Sequence, residues 1–218
     1  MQNHFVNLME VRKQVRQFDN KKVPDQSIIN DILKETYRLV PSKQKLMPYT
    51  VHVLGPKHED LKHNLYKMTL VHEGRRQEDY YKKGNRQLLA PYVLLFEYRT
   101  PEPTDFILSL QKDGINFAKE MKDSSVSAPI ECGMFITILT GLCLTAGLSV
   151  SYTGCIPYVG EDQNGFKDSG IPFIEHQVMS MISIGYPDYS VPKKDLYARN
   201  TNVGEIKPNI DKVIKWHD

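Results

Sequence analysis

Apolar positions along the chain switch between a helical period and a strand period, and the switches mark out its elements. Phe5, Leu8, Met9 and Val15 fall roughly on one helical face, predicting a first helix that runs to about Lys13. After Val23-Pro24, the residues Ile28, Ile29, Ile32, Leu33, Thr36, Tyr37 and Val40 form a clear helical stripe, with Asp25 at the N-cap and Pro41 ending the helix. Tyr49 to Leu54 alternates and predicts a strand closed by Gly55-Pro56. A helix from about His58 to Glu73 follows, with Leu61, Leu65 and Met68 inward, and the polar, basic stretch Gly74 to Gln87 reads as a loop or lid.

The second half is more apolar. Pro91 to Tyr98 is an almost unbroken hydrophobic run, as expected of a strand buried on both faces. Pro101 and Pro103 break the chain before a helix from about Thr104 to Lys122. The next helix, roughly Ala128 to Ala146, is apolar almost all round, so it belongs in a core, with Gly147 as its C-terminal cap. Val150 to Gly154 predicts a short strand, and Gln177 to Ile184 a buried one ending at Gly185-Tyr186-Pro187. From about residue 188 the chain is a polar arm with few apolar anchors. The expected fold class is α+β: helices with four or five strands, in one domain over residues 1–218.

Composition narrows the function classes. With 28 basic and 26 acidic residues among 218, the net charge of +2 gives no electrostatic case for nucleic acid. Cys132, Cys143 and Cys155 are too few and too widely spaced for a disulfide framework or a zinc site, and they suit a reducing compartment. No secretory signal pattern opens the sequence, and the longest apolar stretch, Met134 to Val150, is too short and too mixed to span a membrane. A cytoplasmic protein without a membrane partner is expected.

No metal-binding His pair, Gly-x-Ser-x-Gly elbow, phosphate loop or Gly-x-Gly-x-x-Gly turn is present. An enzyme of this sequence would therefore leave the difficult step to a cofactor, with no catalytic side chain required. The most informative stretch is Arg12-Lys13-Gln14-Val15-Arg16-Gln17-Phe18. At a helix end, Arg12 and Arg16 can converge on one anion, and their planar forks suit a phosphate monoester. A solvated basic helix end is the alternative reading of the same residues.

The order of segments resembles that of the nitroreductase-like flavoproteins. It comprises Arg12 to Phe18, Val23-Pro24, the helix Ile28 to Val40, Pro41-Ser42, Pro48-Tyr49 before a strand, the buried helix Glu131 to Ala146, Gly147-Leu148, Tyr152-Thr153-Gly154 and Ile184-Gly185-Tyr186-Pro187. The matches run in order from residue 10 to 200. The resemblance implies a nitroreductase-like fold with a central, mostly antiparallel sheet flanked by helices. It implies an intertwined homodimer with flavin mononucleotide (FMN) at the interface, and reduction of a small electron-poor substrate, such as a nitroaromatic or quinone, by NAD(P)H. By position, Arg12 and Arg16 would bind the FMN phosphate, with Lys13 beside them and Gln14 between them near the ribityl chain or pyrimidine end; Lys193 or Lys194 would supply a late basic phosphate ligand, with Arg199 as a second candidate. Tyr152, Thr153 and Gly154 would lie against the flavin ring. Pro41, Ser42, Lys43 and Lys45 would reach the FMN of the other subunit.

The sequence departs from the family pattern at three of these places. Lys45 stands where the family usually has Asn, Met47 where it has Gln, and Gln14 where it has Ser between the arginines. Three other readings stay open: a flavin binder with little turnover, a flavin-consuming or dehalogenating relative whose lid would be Gly74 to Gln87, and an interaction protein without flavin. Arg75, Arg76, Tyr80, Tyr81, Lys82 and Lys83 are the residues such a lid would carry.

Overall fold

A computed structural model of the chain describes residues 4–74, 84–114, 124–154, 171, 177–197 and 213–214. Its helices are α1 (His4–Val11), α2 (Gln26–Leu39), α3 (Glu59–Gly74), α4 (Asp105–Lys112), α5 (Ser124–Thr145) and the single turn α6 (Lys193–Leu196). The strands are β1 (Tyr49–Leu54), β2 (Tyr92–Tyr98), β3 (Ser149–Thr153) and β4 (Val178–Gly185). They form one sheet in the order β1-β2-β4-β3, and every pairing is antiparallel.

Pleating divides the core into two layers. On one face, Tyr92, Leu94 and Phe96 of β2 and Ile182 and Ile184 of β4 pack with Ile29 and Ile32 of α2 and with Cys132, Phe135, Leu139 and Cys143 of α5. On the other, Val93, Leu95 and Met181 pack with Leu65 of α3, Leu88, Val15, Phe18 and Leu196. The central strand β2 is therefore apolar on both sides, which is why its sequence runs almost without a polar break. Helix α5 is long and apolar enough to cross a membrane by composition alone. One side of it packs against α2 and the sheet, and 44% of the stretch Ser127–Thr145 is buried, so it is less enclosed than its sequence suggests.

Local chemistry sets several boundaries as the sequence anticipates. Gly147, at φ +72°, ends α5 in a left-handed turn, with Gly147 N donating to Leu144 O at 3.0 Å and Leu148 N to Cys143 O at 2.8 Å. Asp25 occupies the N-cap of α2, but its side chain makes no capping bond. Thr104 caps α4 by accepting from Ile107 N at 3.4 Å. The expected helix from Thr104 to Lys122 is shorter where it is described: α4 stops at Lys112, and Gly114 turns the chain at φ +85°. Buried Lys62 of α3 donates from Nζ to Ala90 O at 2.9 Å and Pro91 O at 3.2 Å, tying α3 to the entrance of β2. Burial lowers its pKa, against a smaller opposing pull from Glu59.

Two expectations change. Helix α1 ends at Val11, not near Lys13, because the following segment is claimed by distant chain: Val15 bridges Tyr197 and Phe18 bridges Pro187. The segment after 188 is correspondingly less arm-like at its start, since Leu196 is buried and its carbonyl accepts from Arg16 N at 2.7 Å. In the stretch expected as a polar loop, Arg86–Leu89 forms a packed 3-10 turn in which Gln87 and Leu88 are buried. Residues 75–83 of the suggested lid, with Cys155, His176 and Arg199, lie outside the described residues.

Candidate functional site

The segment 12–19 runs along the β3 side of the sheet. Val15 and Phe18 anchor it in the core, Asp19 N donates to Tyr186 O at 2.8 Å, and Asp188 N donates to Gln17 O at 3.1 Å. Gln14 supplies the lateral tie. Its Nε2 donates to Tyr152 O at 2.6 Å, and its Oε1 accepts from Tyr152 N at 3.1 Å. The carboxamide thus acts as one more residue of backbone on the outer edge of β3, satisfying a peptide group that an edge strand would leave to water.

This anchoring sets out the cations. The Arg12 guanidinium lies 5.8 Å from the centre of the Tyr152 ring, and Lys13 Nζ lies 5.0 Å from that of Tyr197. Arg16 Nη2 donates to Gly84 O at 2.9 Å. Lys193 and Lys194 are exposed on α6, whose Leu196 is joined to Arg16 through the backbone. Arg12, Lys13, Lys193 and Lys194 have no ion-pair partner among the described residues. The structure therefore brings Arg12, Lys13, Gln14, Arg16, Tyr152, Lys193 and Lys194 into one neighbourhood, and most of its cationic charge is uncompensated. Residues 12–16 lie beyond the end of α1, so Arg12 and Arg16 are not placed by one helical turn.

Beneath this segment lies polar surface that the sequence did not signal. Ser151 and Ser183 face each other across β3 and β4, and Thr153 follows on the same face of β3. All three are buried, and their hydroxyls have no hydrogen-bond partner among the described residues. The 3-10 turn that packs on β3 brings Gln87, whose Nε2 donates to Asn85 Oδ1 at 3.1 Å, while Gln87 Oε1 and Asn85 Nδ2 likewise have no partner among the described residues. Buried polar atoms are normally satisfied. These atoms are fully buried in the chain, so they form a polar layer under the segment, and the exposed cations are the part a ligand can reach. Gly154 ends β3 exposed, and a Cβ there would meet no atom within 4 Å.

Pro41, Ser42, Lys43 and Lys45 lie elsewhere, in the loop leading into β1 at the opposite edge of the sheet. Gln44, Lys45 and Met47 all have positive φ, at 54°, 61° and 46°. Side chains rarely adopt this conformation, and each such residue costs about 1–3 kcal/mol. The loop is held by surrounding bonds. Lys43 N donates to buried Glu131 Oε1 at 3.0 Å, Met47 N to Ser42 Oγ at 2.9 Å, Thr104 Oγ1 to Gln44 O at 3.3 Å, and Arg99 Nε to Met47 O at 3.2 Å. Behind it, Tyr49, Phe96 and Phe135 form a three-ring cluster with centroids 5.5–6.2 Å apart. Burial, reinforced by the Glu131 carboxylate, pushes the Tyr49 phenol above its ordinary pKa.

The remaining candidates are structural. Cys132 and Cys143 are buried, and burial pushes both thiols up to about 12, so neither is a thiolate nucleophile at neutral pH. His52 Nε2 and Glu97 Oε2 lie 2.7 Å apart across β1 and β2, a largely buried pair that sequence reading missed because its partners are 45 residues apart.

No family model matches the sequence, and no curated protein matches it. Solved structures do match in three dimensions. A nitroreductase-like protein from Streptococcus mutans is 14% identical, covers 100% of both chains and superposes with a TM-score of 0.65. A nitroreductase with bound FMN from Desulfitobacterium hafniense is 16% identical, covers 100% of both chains and has a TM-score of 0.63. A nitroreductase with bound FMN from Bacteroides fragilis is 15% identical, with 94% of this chain and 98% of that chain covered and a TM-score of 0.58. At these identities the likeness establishes the fold: the chain has the nitroreductase-like α+β architecture expected from its sequence.

Proposed function

We propose that the chain is an FMN-dependent oxidoreductase that uses NAD(P)H to reduce a small electron-poor molecule, such as a nitroaromatic or quinone. The observation that carries this reading is the cationic pair Arg12 and Lys13, which have no ion-pair partner among the described residues, set with Arg16 beside α6 and its Lys193 and Lys194. The donor set fits the group. Arg12 and Arg16, with Lys193 or Lys194, suit a phosphate dianion. Gln14 shapes the site by holding β3 to the segment, and Gly154 leaves room at its edge. Bound FMN would supply two-electron chemistry, and the protein's part is to bind it, orient it and keep water away.

The sheet order adds a reason for two chains. Strands β1 and β3 are separated by three inter-strand spacings, roughly 14 Å. Within one chain, Pro41, Ser42, Lys43 and Lys45 therefore stand apart from Arg12 to Arg16. A cofactor touched by both groups sits between two copies, which makes the working unit a homodimer. A flavin binder with little turnover is the second reading, favoured by Gln14, whose amide is already occupied by Tyr152. Anaerobic addition of NADH or NADPH to the FMN-loaded protein separates the two. Rapid bleaching of the flavin absorbance, reversed by a nitroaromatic or quinone, is expected of the oxidoreductase; a yellow protein that neither nucleotide bleaches contradicts it.

A further inference from the structure

A small cleft lies where the first turns of α3 meet the entrance of β2, and none of its residues belongs to the cofactor site above. It encloses about 180 Å³, with apolar walls from Val23, Pro56, Leu89 and Pro91 and with Lys62 among them. Ordinary small-molecule sites span roughly 300–1,000 Å³, so an occupant here has only a few carbon atoms. Glu59 and His63 also line the cleft, and both are exposed.

Lys62 is the unusual wall residue. The buried stripe of α3 reads Lys62, Leu65 and Thr69, so a lysine occupies a helical face that otherwise packs inward. It is 4% exposed and has no ion-pair partner among the described residues, whereas buried ammonium groups are normally paired. Burial lowers its pKa, and Glu59 opposes that only in part. Two directions around Nζ are taken by Ala90 O and Pro91 O, at 2.9 and 3.2 Å. In the neutral amine those two bonds use both N–H groups, and the remaining tetrahedral direction is the lone pair. Two carbonyls could be tied equally well by a neutral amide with two N–H donors. A desolvated amine at this position adds a nucleophile, which the tie itself does not require.

We propose that Lys62 is a reactive lysine that captures small uncharged aldehydes in this cleft as imines. The amine lone pair attacks the carbonyl carbon, the C–N bond forms, and the C=O electron pair moves to oxygen. One N–H proton passes to that oxygen. A second proton arrives from solvent, the C–O bond breaks, water leaves, and the nitrogen lone pair completes the C=N bond. The protonated imine keeps one N–H for a backbone carbonyl, and no oxidant or reductant is consumed. The apolar walls suit a short alkyl chain, and the volume excludes a fused ring.

The test exposes the full-length protein to propanal and sodium cyanoborohydride, which traps imines by hydride addition, at about pH 7, where exposed amines are protonated. Propylation is followed lysine by lysine through peptide mass mapping. Lys62 is expected to react about tenfold faster than its exposed neighbours Lys57 and Lys67. Val23→Trp, a change at a cleft residue that is 44% exposed, should remove this advantage and leave Lys57 and Lys67 unaltered. With 1-naphthaldehyde in place of propanal, Lys62 should show no advantage. Propylation of Lys62 no faster than that of Lys57 and Lys67 overturns the proposal. So does an advantage that survives Val23→Trp or extends to naphthaldehyde, because the amine is then reached by local opening of the chain and not through the cleft.

Discussion

The two edges of the sheet solve the same problem in opposite ways. At the β3 edge, the Gln14 carboxamide takes both hydrogen bonds of the Tyr152 peptide group. The chain there is pinned by bridges to Pro187 and Tyr197, and Arg12, Lys13, Lys193 and Lys194 beside it have no ion-pair partner among the described residues. The β1 edge pairs with β2 alone among the described strands, and it is lined by apolar side chains and entered through a loop with three left-handed residues. One edge is closed by polar bonds and carries charge. The other has no second strand among the described residues, is apolar, and carries strain. Satisfied polar edges are rigid platforms for holding a ligand in place, whereas strained loops over apolar surface mark places kept for a ligand or partner.

The largest expected effect lies under the β1 edge. Phe135 supports Tyr49 and Phe96 and is 3% exposed, so Phe135→Ala should cost about 3–5 kcal/mol in urea unfolding. A loss below about 1 kcal/mol would show that the aromatic cluster does not hold the β1 edge. At the closed edge the effect is smaller. Gln14→Ala leaves the Tyr152 N–H and carbonyl unpaired and should cost about 1–3 kcal/mol. An unchanged midpoint would mean that water replaces the clamp and that the two edges differ less than their geometry suggests. The smallest effect has the opposite sign. Lys45→Gly removes a left-handed side chain and should stabilise the protein by up to about 1 kcal/mol. Destabilisation by that substitution would show that the loop is not strained at Lys45.

Much of the fold follows from period and punctuation. The two-sided burial of β2 and the cap at Gly147 are local properties of their own segments. The stripe on α2 is legible too, except that pattern cannot say how much of it the core will cover: Ile29 and Ile32 are buried, and Tyr37 is exposed. Features that depend on distant partners were not legible. Helix α1 stops at Val11 because residues 186–197 compete for the chain after it. The role of Gln14 depends on a strand 138 residues away. Ser183 sits in a strand that reads as apolar, and only the register opposite Ser151 makes it part of a polar floor. Lys45 and Met47 could be noticed as departures from a family pattern, but their left-handed backbone leaves no mark where no glycine stands.

The central claim is that Arg12 and Arg16 make the closed edge a cofactor site. Titrating the purified protein into FMN and following flavin fluorescence tests it directly. Saturable quenching at one FMN per chain is expected, with Arg12→Ala/Arg16→Ala weakening binding by about 100-fold or more while the far-ultraviolet circular dichroism stays unchanged. Flavin fluorescence that the wild-type chain leaves unaltered, or a double variant that binds FMN as tightly as wild type, would contradict the account.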